Sequence, residues 1–157
     1  MTFFKAATPI VKDTVIITDA NGLEVTRFTA IWKRPNKAVR KALLNERLDV
    51  LRKLEQLQQS DDIDSKQVEL EALAAATDQL VISHLHGWDG LLDANDDHVE
   101  FSQDALKKAL EWAEYAQPLV ESLMRVASGN AVELAQVKNS VAPVGTGVTE
   151  PSAEVVI

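Results

Sequence analysis

The chain has 157 residues, enough for one ordinary domain, and 46% of them are hydrophobic, which excludes a wholly disordered chain. It has no cysteine, which excludes disulfides, thiolate metal sites and a thiol nucleophile. The net charge of −8 hides a split: residues 1–60 hold 11 Lys/Arg against 6 Asp/Glu, and residues 61–157 hold 5 against 18. An acidic total argues against nucleic acid as a partner. Opposite-signed halves favour folding of one half on the other, or pairing with other proteins. No apolar run is long enough to cross a membrane, and the first residues lack the apolar centre of a secretion signal.

Residues 14–18 (TVIIT) and 23–32 (LEVTRFTAIW) read as two strands. Asp19-Ala20-Asn21-Gly22 lies between them, and Asn-Gly is a strong hairpin signal because both residues tolerate positive φ. Phe28, Ala30 and Trp32 share one face of the second strand. A lone hairpin is marginal in water, so it must pack on helices or on another chain.

Pro35 stops the strand and Asn36 suits a helix N-cap. Lys37 to about Gln59 has no Gly or Pro and reads as a helix, with Leu44, Leu48 and Leu51 in one stripe and Val50, Leu54 and Leu57 widening it. Its polar face is basic. Asp64 with Gln67 resembles a capping box for a second helix, from about Ser65 to Leu85, with Leu70, Leu73, Ala76, Leu80 and Val81 on its apolar face. Two helices joined by a short polar break predict an antiparallel pair.

His86-Gly87-Trp88-Asp89-Gly90 is read as the close of that helix, followed by an acidic loop over 91–99. Ser102 is the next N-cap, and Phe101 with Leu106 has hydrophobic-staple spacing. A fourth helix is expected to begin near Pro118 and to stop at Gly129-Asn130. Residues 131–138 have the composition for two more helical turns. The rest mixes Pro, Gly, Ser, Thr and Val without period, and reads as a flexible tail with an apolar tip at Ile157.

The expected fold is therefore mainly α with a small N-terminal β-hairpin, an α+β arrangement of about four helices. The expected division is a hairpin segment over 1–36, a helical domain over 37–130 and a tail over 131–157.

Chemistry is sparse. In a helix His84 and His86 would point about 200° apart, which suits no shared metal. Asp93, Asn95 and Asp97 have the spacing of a calcium loop, but His98 stands where glycine is needed and Asp104 where glutamate is needed. No phosphate loop, HExxH or Gly-x-Ser-x-Gly occurs. The reading is a non-enzymatic protein with no metal and no cofactor.

The stretch from Leu80 to Gly129 runs from a helix end through Trp88-Asp89-Gly90, an acidic loop and Val99-x-Phe101-Ser102 into an amphipathic helix, a short break and a second helix. Together with the hairpin leading into Phe28-x-Ala30-x-Trp32-Lys33-Arg34-Pro35, it resembles the small tail assembly chaperones of long-tailed, lambda-like bacteriophages. The likeness covers roughly residues 14–130. The acidic loop here lacks the glycine often seen after its Asp/Asn residues in that family.

The resemblance implies an assembly factor of the infected bacterial cytoplasm, absent from the mature virion. Such a protein binds the tape measure protein, keeps its apolar helices soluble and recruits tail-tube subunits. It also implies that a frameshift can produce an extended form. On this reading the helices over 37–59 and 65–85 present the groove, while the hairpin and residues 102–128 stabilise it or mediate self-association. The partner-binding candidates are Leu44, Leu48, Leu51, Leu73, Leu80, Trp88, Asp89, Phe101 and Ile157. A structural or adaptor protein retained in the tail and a small acidic regulator are the competing readings.

Overall fold

Three strands and four helices make an α+β fold in the computed structural model, which describes residues 9–132. Strand β1 (Ile10–Thr18) and strand β2 (Glu24–Lys33) pair antiparallel, as the Asn-Gly signal predicts. The turn differs from the two-residue hairpin that this signal favours. Asp19 N–H donates to Leu23 O across a three-residue loop, and of Asn21 and Gly22 only the glycine takes positive φ, at 81°. That is a tight turn followed by a bulge, for which a left-handed glycine is the natural closing residue. The Asp19 carboxylate holds it by accepting from Asn21 N (2.8 Å) and Leu23 N (3.0 Å).

Helix α1 (Lys37–Gln58) starts where expected, with the Asn36 side chain accepting from Val39 N. Helix α2 (Ile63–His84) starts two residues earlier than the capping-box reading, because Asp62 and not Asp64 accepts from Ser65 N. The short break between them turns α2 back along α1 as an antiparallel pair.

The expected turn over residues 86–90 is instead, up to Asp89, the body of a third strand. Strand β3 (Leu85–Asp89) follows α2 without a connecting residue and pairs antiparallel with β2, placing Trp88 opposite Ala30 and Leu85 opposite Trp32. The sheet order is β1-β2-β3. Strand state here comes from the unpaired edge of β2, which outweighs the local composition.

After a tight loop, helix α3 (Gln103–Leu110) is capped by Ser102 Oγ, which accepts from Ala105 N. Helix α4 (Ala113–Ala127) begins five residues before Pro118, so the expected start at that proline is corrected. Pro118 sits inside the helix and only removes the N–H that would donate to the Glu114 carbonyl. Helix α4 stops at Gly129, whose φ is 79°, and Arg40 Nε donates to the Ala127 carbonyl, seating a cation at the helix C-terminus.

One core joins all seven elements. Val15, Ile17, Phe28, Ala30, Trp32, Leu85 and Trp88 come from the sheet; Leu119, Val120, Leu123 and Val126 come from α4; Leu43, Val81, Leu106 and Leu110 come from the other helices. Inside it lies a polar network around the fully buried Asp13. Its carboxylate accepts from Ser122 Oγ (2.6 Å), Arg125 Nη2 (2.7 Å) and Val132 N (2.9 Å). Trp32 Nε1 donates in turn to Ser122 Oγ (2.9 Å). Thr14 N–H donates to Val132 O, so residue 132 is fastened to the outer edge of β1 by two bonds. The two helical turns expected over 131–138 and the tail, with Ile157, lie outside the described residues from position 133 onward.

Candidate functional site

The body packs around α4, and the α1–α2 pair extends past it as an arm. From Leu51 to Glu71 almost every residue is exposed; Leu54 and Leu57 are half-buried between the helices. Where α1, α2 and α4 meet, a cleft of about 280 Å³ opens. Val50 and Leu54 line it from α1, Leu70, Leu73 and Thr77 from α2, and Ala116 and Val120 from α4. The charged groups at its rim are Arg47 and Asp78. Burial at this wall raises the Asp78 carboxyl above its ordinary pKa, because the charged form loses water.

The predicted partner-binding residues within the described part of the chain fall into four settings. Leu44 (37% exposed), Leu48 (59%) and Leu51 (46%) lie on the outside of α1, while Leu43 takes the core position. Leu73 is buried in the cleft wall, and Leu80 packs partly buried against the core.

Trp88 and Phe101 are turned inward. Trp88 meets Phe28 and Phe101 edge-on, at centroid distances of 6.3 Å and 4.9 Å, and its Nε1 donates to Val99 O at 2.8 Å. These two rings fasten the acidic loop to the sheet. Asp89 is exposed beside Gly90 and Arg27 at a second hollow, away from the cleft.

The acidic loop is a miniature hairpin. Leu92 and His98 form an isolated bridge, and Asp93 Oδ1 accepts from Asn95 N (2.8 Å) and Asp97 N (3.0 Å). The first carboxylate of the calcium-like spacing is thus spent on backbone N–H groups. Among the described residues no cluster of His, Asp and Glu is arranged to hold a metal ion. His84 ends α2 and its Nδ1 lies 2.8 Å from Leu80 O; His86 lies on β3.

The α4 wall of the cleft and the Asp78 rim were not anticipated. Asp78 is one acidic residue among many along the chain, and only the packing of three helices gives it a desolvated place. Among the described residues no helix is long and apolar enough to cross a membrane. Compared with protein families, curated proteins and solved structures, the chain shows no match.

Proposed function

We propose that this protein is a tail assembly chaperone of a long-tailed bacteriophage, acting without catalysis in the host bacterial cytoplasm. It binds the apolar helices of the tape measure protein and recruits tail-tube subunits. The observation that supports this reading is the cleft between α1, α2 and α4, whose apolar wall of Val50, Leu54, Leu70, Leu73 and Val120 lies open at the base of a projecting arm. Such a cleft takes the anchoring side chains of an amphipathic helix rather than the whole helix. Arg47 and Asp78 at its rim offer one charge of each sign for orienting it.

Co-expression with the cognate tape measure protein is the test. The expected result is a soluble tape measure protein with the wild-type chain and an insoluble one with the Leu54→Glu variant. Equal insolubility with and without the wild-type chain refutes the proposal.

A further inference from the structure

Among the described residues ten large apolar side chains have substantial exposure, and six of them (Leu44, Leu48, Leu51, Ile63, Val68 and Leu70) belong to the arm. On α1 the residues Lys37, Lys41, Leu44, Leu48, Leu51 and Glu55 recur at alternating spacings of four and three, which places them along one side of a helix. All six are exposed. This stripe is leucine in the middle and doubly basic at its start.

On α2 the residues Asp64, Val68, Glu71 and Ala75 recur in the same spacing, with Ala72 beside them, and all are exposed. This face is small and apolar at Val68, Ala72 and Ala75, carries Glu71 at its flank, and is acidic at its start, where Asp61 adds a further charge. At 1.5 Å per residue, Leu44 to Leu51 and Val68 to Ala75 both span roughly 10 Å. The stretch of large side chains on one helix therefore matches in length the stretch of small ones on the other, and the charges at their starts are opposite in sign. Within one chain the two faces cannot meet, because both are exposed while Val50, Leu54 and Leu57 occupy the seam.

We infer that the arm is a self-association surface: the leucine stripe of α1 seats on the outer face of α2 in a second copy of this chain. The helices run parallel across this contact. Lys37 and Lys41 then lie against Asp61 and Asp64, and Leu44, Leu48 and Leu51 pack over Val68, Ala72 and Ala75. Leucine on alanine lets two helices approach closely, and the charged ends fix the direction. The cleft below Leu73 is a separate surface, so this inference stands independently of the tape measure partner.

Sedimentation velocity of the full chain, from about 1 to 200 μM, tests it. The wild-type chain is expected to self-associate with concentration, at least tenfold more weakly at 500 mM than at 50 mM salt. Leu48→Glu and Val68→Glu, at positions 59% and 69% exposed, are each expected to stay folded by circular dichroism and to sediment as monomers. An equimolar mixture of the two is expected to form a heterodimer, because one variant keeps an intact α1 stripe and the other an intact α2 face. A wild-type chain that is monomeric throughout, or folded variants whose mixture stays monomeric, overturns the inference. A partner helix other than this chain would leave the wild-type protein monomeric and so counts against it.

Discussion

Replacing Asp13 by Ala removes the centre of the buried network. Its carboxylate receives Ser122 Oγ, two nitrogens of Arg125 and the Val132 N–H, and the residue is fully buried. Deleting one partner of a buried ion pair costs about 3–5 kcal/mol, because the other charge and its donors are left without acceptors. Here the Arg125 side chain is 39% exposed and can rehydrate, which holds the cost to about 3 kcal/mol. Against the roughly 5–15 kcal/mol that stabilises a domain, this is a large share. With a urea slope of about 1.5 kcal/mol/M, the unfolding midpoint falls by about 2 M. Tryptophan fluorescence reports it directly, since Trp32 donates to Ser122 within the network. Ser122→Ala is expected to cost about 1–3 kcal/mol by orphaning Trp32 Nε1, and the double variant less than the sum. A cost for Asp13→Ala below about 1 kcal/mol at pH 7 refutes the account of the network.

Trp88→Ala is expected to cost about 3–5 kcal/mol and to speed amide exchange over residues 91–99, because the ring and its bond to Val99 hold that loop; unchanged exchange there contradicts this. Asp78→Asn is expected to stabilise the fold slightly at pH 7, by less than about 0.5 kcal/mol because the group is partly solvated, read as a small rise in melting temperature. Burial raises its folded pKa, so the native state favours the proton, and the wild-type chain gains stability as pH falls through that raised value. The advantage of the asparagine variant therefore shrinks as pH falls and vanishes below the ordinary carboxyl range; an advantage that grows at low pH contradicts it.

Local chemistry was legible wherever a residue acts on its own neighbours. Asn36, Ser102 and Gly129 cap or stop a helix within a few positions, and each does so as read; Gly22 turns the hairpin, though through a longer loop than its dipeptide favours. The inward face of Phe28, Ala30 and Trp32 follows from strand alternation alone. What failed depended on distant partners. Leu85–Asp89 becomes a strand because β2 offers an edge, and nothing within five residues encodes that edge.

Pro118 was a misleading start signal, because a helix whose first turn precedes it loses one bond and continues. The long α1 carries more leucines than its contacts require, and periodicity alone could not separate Leu43 of the core from Leu44 of the surface. The site was less legible than the fold. Its residues come from three helices spread over positions 47–120, so the cleft exists only in the packed chain.

The buried carboxylate of Asp13 also orders events in time. It is made well before its partners at positions 122, 125 and 132, which lie 109, 112 and 119 residues further along the chain. Closing so long a loop carries an entropic cost before any of these bonds returns it. During translation the hairpin can therefore form its turn early, but its inner face stays wet until α4 and residue 132 have cleared the ribosome. Folding is then governed by non-local contacts, which are the slow ones. A nascent chain halted before Ser122 would hold an unsatisfied carboxylate in a half-built core, whereas one released after Val132 would lock.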